Sequence, residues 1–283
     1  MASDGPGSVR HLVISWADRV LALQNEDGSC ASAIAWRKGL VVSADEAAGD
    51  QIKLHARDGR QIDAELVGRD PSTDLALYKA DIDPPLLAPA AEVLPGDFAL
   101  AIGRSATSEC VAAGIVAETG GAWRSTLGGT IDRRIRLDLR LPQRAHGGAI
   151  VDAAGHLIGL AAFGPRRTAI VIPAETISRI VDRLASAGSI ARGYIGVQLH
   201  PLSDGHRGVG AIVVRLDDGG PAAAAGLLVG DSIVSWNGEA IRGVRDIFQR
   251  LGPDSVGTTV KLGLLRAQQS ATVDIVIAER PLK

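Results

Sequence analysis

The segment Leu141–Ile150 contains a histidine followed by two glycines, His146-Gly147-Gly148. An imidazole can act as a general base, and its charge changes near neutral pH. Covalent catalysis would also need an activated hydroxyl or thiol, and this segment contains neither serine nor cysteine. The segment therefore places a histidine before two glycines and offers no hydroxyl or thiol nucleophile.

Other catalytic signatures are missing from the sequence. It has no G-x-S-x-G elbow, no H-E-x-x-H helix and no P-loop. The only cysteines, Cys30 and Cys110, are too few for a disulfide framework, and we expect both to be small buried residues. Cys110 follows Ser105–Ser108, but no pattern places a base beside its thiol, as a reactive cysteine requires. The remaining histidines fall on separate predicted elements and are expected to be solvated or turn residues: His11, His55, His156, His200 and His206.

Composition and charge exclude several classes of protein. With 283 residues, 46% of them apolar, the chain is long enough for two globular domains with their own cores. A formal charge of −2 does not favour nucleic acid or an anionic membrane as a partner. The sequence contains no apolar run of the roughly 18 residues that a membrane span needs. Residues 1–7 lack a signal-peptide pattern, so the chain as written is expected in the cytoplasm.

The elements that must hold these residues differ along the chain. Apolar residues at helical intervals predict a helix over Val9–Leu23. Short apolar runs separated by turn residues then continue from Ala31 to Ile172, which indicates an antiparallel barrel or sandwich. Pro173 opens a helix that ends near Gly188. We therefore expect a leader and helix over residues 1–30 and a mainly β domain over 31–191.

A second unit is expected over residues 193–283. It has its own succession of short strands, an Asn237-Gly238 hairpin signal and a helix over Val244–Leu251. Its length of about ninety residues is within the usual range for a small domain. The chain is thus predicted to be mainly β with two domains.

Three motifs of the second unit resemble those of a known domain. They are Gly193-Tyr194-Ile195-Gly196-Val197, then Gly220-Pro221 through Gly226-Leu227, then Gly230-Asp231 followed by Trp236-Asn237-Gly238. This succession is similar to a PDZ domain. Together with the preceding residues 31–191, it resembles the bacterial HtrA (Deg) family, in which a trypsin-like double antiparallel β-barrel precedes the PDZ domain.

The resemblance implies a peptide-binding groove in the second unit. In PDZ domains a glycine-containing loop receives the terminal carboxylate of a peptide, which then pairs with the adjacent strand edge. Here the loop is Gly193, Tyr194, Ile195, Gly196 and Val197, and the facing helix carries Val244, Ile247, Phe248 and Leu251. The expected partners are protein or peptide C-termini with an apolar last side chain. The alternative is that these glycines only form tight turns and that the first domain closes the groove.

The same resemblance implies that the first domain lacks most of the catalytic residues of the family. Glu46, in Val41-Val42-Ser43-Ala44-Asp45-Glu46, stands where the family has the histidine base. Asp70-Pro71-Ser72-Thr73-Asp74 resembles the segment that carries the aspartate, so Asp74 is retained. Arg144-Ala145-His146-Gly147-Gly148 aligns with Gly-Asn-Ser-Gly-Gly: His146 replaces the nucleophile, and Arg144 replaces a glycine of the oxyanion loop.

These changes predict loss of proteolysis by the family mechanism. A carboxylate with a pKa near ~4.3 is a weak base at neutral pH, and it has no serine to activate. Arginine also restricts positive φ angles that an oxyanion loop can need. If the fold is kept, Glu46, Asp74 and His146 converge and form an ion cluster that joins the two barrels. The alternative is a metal site made by the same three side chains, which are of the ligand types found in facial triads; otherwise we expect no cofactor.

Two classes of function follow. The first is an inactive protease homologue that acts as a binding scaffold, either through its PDZ groove or by pairing with an active homologue. The second is a hydrolase whose site has been rebuilt around other residues. The resemblance also implies homotrimers and a location outside the cytoplasm, where family members commonly work.

Overall fold

The computed structural model describes residues 8–90, 92–188, 192–202 and 210–281. Spatial clustering divides the chain into two compact units. One comprises Met1–Trp123 and Thr130–Ile190, and the other Arg124–Gly129 and Ala191–Lys283. His206 lies outside the described residues. No helix in the described ranges is long and apolar enough to cross a membrane.

The first unit contains two closed six-stranded barrels, which confirms the predicted trypsin-like double barrel. The first barrel has the order β1-β2-β3-β6-β5-β4. Its strands are β1 Val20–Asn25, β2 Cys30–Arg37, β3 Leu40–Ser43, β4 Ile52–His55, β5 Gln61–Asp70 and β6 Leu75–Ala80.

The second barrel has the order β11-β14-β13-β12-β7-β8, and a two-stranded pair, β9 with β10, stands apart from it. The strands are β7 Phe98–Arg104, β8 Glu109–Gly120, β9 Trp123–Arg124, β10 Thr130–Ile131, β11 Arg134–Asp138, β12 Ala149–Val151, β13 Leu157–Phe163 and β14 Ala169–Pro173.

Two helices complete the first unit. Helix α1 spans Val9–Trp16, and α2 spans Ala174–Ala187. The apolar stripe of α2 and the buried face of α1 join one large core cluster that also contains side chains of both barrels. Helix α2 begins after Pro173 and ends at Gly188, which has a φ of +70°, a conformation that glycine adopts readily. The core that supports any site between the barrels is therefore continuous.

The predicted helix over Val9–Leu23 is wrong in its second half. The helix ends at Trp16, and β1 pairs with β2, so the first barrel begins at Val20 rather than at residue 31. Val20 to Leu23 are all buried. A strand that is buried on both faces has no polar alternation, so its apolar run cannot be distinguished by periodicity from a continuation of the helix.

The second unit is a five-strand path, β16-β17-β18-β20-β21, with β19 paired to β18 and a separate β15-β22 pair. Its elements are β15 Gly193–Tyr194, β16 Val197–Pro201, β17 Ala211–Leu216, α3 Pro221–Ala224, β18 Ser232–Trp236, β19 Glu239–Ala240, α4 Val244–Arg250, β20 Thr259–Arg266, β21 Gln269–Val276 and β22 Ala278–Glu279. Its apolar core cluster contains side chains of residues 195–277 only.

Residues Arg124–Gly129 belong to this second unit, which the sequence did not predict. The Arg124 guanidinium donates to the Gln249 carbonyl over 3.1 Å, and the Gln249 amide donates to the Ser125 carbonyl over 3.4 Å. Gly128 has a φ of +86°, and a Cβ there would lie 3.0 Å from the Phe248 carbonyl oxygen. The segment thus packs tightly against the C-terminal end of α4.

Candidate active site and peptide-binding groove

Asp74 is held at the end of a rigid turn that follows β5. The buried Asp70 carboxylate accepts hydrogen bonds from the Ser72 amide (3.0 Å), the Ser72 hydroxyl (2.5 Å) and the Thr73 hydroxyl (2.7 Å). Asp74 itself has a φ of +56°, which Asp tolerates better than most residues. The turn therefore fixes the Asp74 backbone through hydrogen bonds within residues 70–73 alone.

Glu46 contributes its backbone rather than its side chain. It lies in a short 3₁₀ turn, Asp45–Ala47, and its amide donates to Asp74 Oδ1 over 2.8 Å. Its side chain is exposed. No described residue forms a hydrogen bond or ion pair with its carboxylate. The carboxylate is thus not part of the predicted ion cluster, because the exposed turn leaves it in solvent.

His146 takes the central position instead. Its side chain is only 5% exposed, and its Nε2 atom lies 3.4 Å from Asp74 Oδ2. The edge of the imidazole meets the Phe163 ring with 5.0 Å between centroids. His146 and Asp74 come from different barrels, so the predicted cluster reduces to one contact that joins them.

Arg167 packs on Phe163, the ring that contacts His146. Its guanidinium stacks over Phe163, 4.4 Å from the ring centroid, and donates a hydrogen bond to Gln143 Oε1. Phe163, Gln143 and Arg167 were not among the predicted site residues. They come from three separate segments of the second barrel, so no local pattern marks them as a group.

The backbone amide of His146 is not available to bind an anion. Residues Gln143–Ala145 form a 3₁₀ turn, and the His146 amide donates within it to the Gln143 carbonyl over 3.2 Å. An oxyanion hole needs such amides directed at the developing charge. Because the His146 amide is used internally, this turn lacks a donor that the family mechanism would require.

Arg144 is part of the same locked turn. Its side chain is exposed, and its carbonyl accepts a hydrogen bond from the Ser32 hydroxyl over 2.5 Å. A glycine at this position could adopt φ values closed to arginine, so the peptide could turn its N–H outward. The replacement therefore favours the closed turn.

Gly147 packs so closely against the first barrel that a side chain would not fit there. Its φ is +80°, and a Cβ there would lie 2.3 Å from the Ser32 carbonyl oxygen and 2.5 Å from Ser43 Oγ. Ser32 and Ser43 are fully buried, and the Ser43 hydroxyl donates to the Ser32 carbonyl over 2.7 Å. These two serines hold the turn in place and are not accessible to a substrate.

The remaining candidate chemistry also lacks support. Burial raises the pKa of the Cys110 thiol, and the nearby Arg144 charge opposes that shift only in part. The thiol is therefore further from its reactive thiolate form than a free cysteine. Within the described ranges, no group of three or more His, Cys, Asp and Glu side chains is placed to hold a metal ion. Glu46, Asp74 and His146 thus do not assemble as a ligand set.

An open cleft does exist beside the turn, with a volume of about 600 Å³. Its lining includes Glu46 and Gln143 but neither Asp74 nor His146. A polypeptide in this cleft would meet exposed polar side chains, whereas the buried His146 and the half-buried Asp74 do not line it.

The second unit places the predicted groove residues around strand β16. Gly196 has a φ of +72°, and a Cβ there would lie 3.2 Å from Gly220 Cα. The Tyr194 hydroxyl donates to Asp217 Oδ2 over 2.5 Å, and the Ile195 carbonyl accepts from the Ala222 amide over 2.9 Å. Gly193 and Tyr194 form the β15 pairing with β22. The loop is therefore fixed from both sides before it enters β16.

Helix α4 forms the other side of this groove. Ile247 is fully buried in the core, and Leu251 is nearly so, whereas Val244 is half-buried. Phe248 is 37% exposed. Among the described strands β16 pairs only with β17, so its other edge is an edge of the sheet. An unpaired strand edge beside an exposed aromatic ring is a suitable surface for an added strand.

Comparisons with known proteins match both units. The model of the trypsin-like peptidase domain matches residues 26–160, and the PDZ domain model matches residues 193–277. The chain is 32% identical over 252 residues to the "Probable periplasmic serine endoprotease DegP-like" of Brucella suis, covering 82% of this chain and 48% of that protein. It is 28% identical to "Serine endoprotease DegS" of Haemophilus influenzae, covering 82% of this chain and 71% of that protein.

Solved structures agree with these matches. The "HtrA-type protease AlgW with decapeptide" has a TM-score of 0.69 at 26% identity, covering 98% of this chain and 100% of that one. The serine endoprotease from Yersinia pestis has a TM-score of 0.71 at 28% identity, with coverage of 98% and 100%. The chain spans about half the length of the DegP-like relatives that it matches. Together the two domain matches and these relatives support the HtrA family for this chain, a trypsin-like peptidase domain followed by a PDZ domain.

Proposed function

We propose that this chain does not cleave peptide bonds and acts as a binding protein that receives protein or peptide C-termini in its PDZ groove. One observation carries the first half of the proposal: the nucleophile position holds His146, which is buried against Asp74. A general base must reach the proton that it removes, either directly or through one water. With 5% of its side chain exposed, the His146 imidazole cannot reach a substrate proton in this way. The endoproteases named above are relatives, and their catalytic activity is not assigned to this chain.

Binding is supported by features of the second unit alone. The carboxylate loop is braced by Tyr194 and Gly196, β16 is an edge strand, and Phe248 is exposed beside it. A related HtrA-type protease has been solved with a decapeptide. Main-chain pairing at β16 would supply affinity, and the apolar side chains of α4 would receive the last residue of the peptide.

Two measurements on the full chain test this proposal. Incubation with unfolded casein should yield no fragments above background, and peptides with an apolar C-terminal residue should bind with a saturable signal in fluorescence anisotropy. Phe248→Ala should weaken that binding, whereas Val276→Ala, which removes an exposed apolar side chain from β21, should not. Casein turnover that is abolished by His146→Ala or Asp74→Ala would defeat the first half and favour the rebuilt hydrolase.

We also propose self-association of the chain, or its assembly with an active homologue, because the family resemblance implies trimers. Light scattering should give a mass above the 29.3 kDa of one chain. A monomeric mass in the presence and absence of an active homologue would contradict this.

A further inference from the structure

We infer that the PDZ groove selects C-terminal segments that combine an apolar last residue with acidic side chains at the positions just before it. This inference rests on the proposed peptide binding and adds the charge of the partner. The proposed occupant is the C-terminus of another protein. Two exposed arginines beside the groove, Arg215 and Arg245, are the observation from which we infer its acidic character.

The two faces of β16 differ in character. Val197 and Leu199 are partly buried and pack on the core of the unit, whereas Gln198 and His200 are exposed on the other face. Side chains of an added strand alternate between the same two faces. A bound C-terminus would therefore place every second side chain among the apolar groove residues and the others on the exposed face, beside Gln198 and His200.

The exposed face carries an unpaired positive charge. Arg215 on β17 is directly opposite Gln198 in the strand register and is exposed. Its guanidinium has no ion-pair or hydrogen-bond partner among the described residues. Neighbouring strands lie about 4.8 Å apart, so an added strand would run roughly 10 Å from β17. An arginine and a glutamate side chain together span that gap.

The helix contributes a second cation on the outer rim of the groove. Successive helical residues are rotated by about 100°, so Arg245 follows Val244 and Phe248 around the helix, away from the buried Ile247. Arg245 is exposed, and no described residue pairs with it. It therefore borders the groove on the side opposite Arg215.

Acidic groups on the two groove elements do not cancel these charges. Strand β16 contains no carboxylate, and α4 contains only Asp246, which accepts a hydrogen bond from the Arg242 amide over 2.9 Å. Arg250, the other cation of α4, is already paired with Glu239 at 2.8 Å. Asp217 lies one step beyond the strand ladder, near Gly196, and binds the Tyr194 hydroxyl. The rim upstream of the terminal pocket is thus positive on both sides.

The test compares three fluorescent decapeptides that end in the same apolar residue and differ only at the three preceding positions, which are all Glu, all Gln or all Lys. With the full chain at low salt, the Glu peptide should bind at least about fivefold more tightly than the Lys peptide. At 0.5 M NaCl the difference should shrink, because exposed charges are screened. Arg215→Gln and Arg245→Gln should each reduce the preference, whereas Lys261→Gln, an exposed cation on β20, should leave it unchanged.

Each outcome has a separate meaning. Equal affinities for the Glu and Lys peptides would overturn the charge preference while peptide binding itself stands. A Glu preference that survives both arginine substitutions would overturn the assignment to Arg215 and Arg245. Absence of binding by all three peptides, with Trp fluorescence confirming folded protein, would overturn the proposed function and this inference with it.

Discussion

At the scale of single residues, the substitutions at positions 46 and 146 act together. In the family arrangement that the resemblance implies, a histidine at position 46 would lie between the aspartate and the serine. Here the Glu46 side chain is exposed, and His146 contacts Asp74 instead. The result is a direct contact of 3.4 Å between His146 Nε2 and Asp74 Oδ2. A histidine restored at position 46 would compete with His146 for the same carboxylate, so neither substitution is easily reversed alone.

Restoration of the triad residues is not expected to restore cleavage. The double variant Glu46→His with His146→Ser supplies a base and a nucleophile but keeps the locked turn, in which the residue-146 amide donates to Gln143. Loss of one oxyanion donor costs about 10²–10³ in rate. We expect casein cleavage to rise by about that factor only when Arg144→Gly is added. Equal rates for the double and triple variants would show that the turn is not limiting, and Asp74→Ala in the triple variant is the control for triad chemistry.

Gly147 allows a separate test of the close approach between the barrels. Gly147→Ala adds a Cβ that would lie 2.3 Å from the Ser32 carbonyl oxygen, whereas Gly39→Ala meets nothing within 4 Å at a similar φ of +74°. The shared backbone strain should cost about 1 kcal/mol in each variant. We expect Gly147→Ala to lose at least about 2 kcal/mol more in urea unfolding, as overpacking does. Similar losses for the two variants would mean that the turn moves away freely.

At the scale of elements, the ion pair between buried Asp231 and partly exposed Arg266 fixes the loop between α3 and β18. Asp231 is 1% exposed, and its two oxygens accept from the Arg266 guanidinium over 2.8 Å each. Asp231 Oδ2 also accepts from the Leu228 amide over 2.8 Å. The hydrogen bond from Arg266, more than any other contact, lowers the pKa of the Asp231 carboxyl. This arrangement ties β20 to the turn that precedes β18.

The sign of that pKa shift gives a pH prediction. Since the folded-state pKa lies below the unfolded value of ~3.9, the pair stabilises the fold at neutral pH and loses that contribution as the pH falls below ~4. Asp231→Asn should cost about 2 kcal/mol at pH 7, discounted for the partial exposure of Arg266. The difference from the parent protein should shrink near pH 3. Asp274→Asn, an exposed carboxylate on β21, is the control, and a pH-independent cost in Asp231→Asn would contradict the assignment.

Elements with clear periodicity were predictable from the sequence, and those defined by tertiary burial were not. Helix α2 and the strands around Leu75 and Leu157 follow from apolar periodicity and turn residues. Strand β1 was missed because its four buried residues carry no alternation. At the site, the sequence identified Asp74 and His146 but placed the Glu46 carboxylate among them, because alignment gives the position of a residue and not the direction of its side chain. Arg167 and Phe163 depend on barrel closure and left no local signal.

At the scale of the whole molecule, the two halves of the proposed function depend on different cores. The apolar cluster of the second unit contains only residues 195–277, and the clusters beneath the His146 turn contain only residues of the first unit. The proposed loss of catalysis in the first unit therefore requires no change in the residues that hold the groove. Because the cores are separate, the first unit can lose catalytic residues while the second unit retains its ability to bind peptides.

This division predicts that a substitution at the His146–Asp74 contact leaves peptide binding intact. His146→Ala removes the contacts to Asp74 and Phe163, and we expect it to lower the free energy of unfolding by about 1–3 kcal/mol. The dissociation constant of an apolar-ended peptide should stay within twofold, because the groove and this turn depend on separate core clusters. Phe248→Ala should do the opposite: it should weaken the peptide with little effect on unfolding, since the ring is 37% exposed. A change of more than fivefold in peptide affinity for folded His146→Ala would show that the His146–Asp74 contact and the groove are energetically coupled.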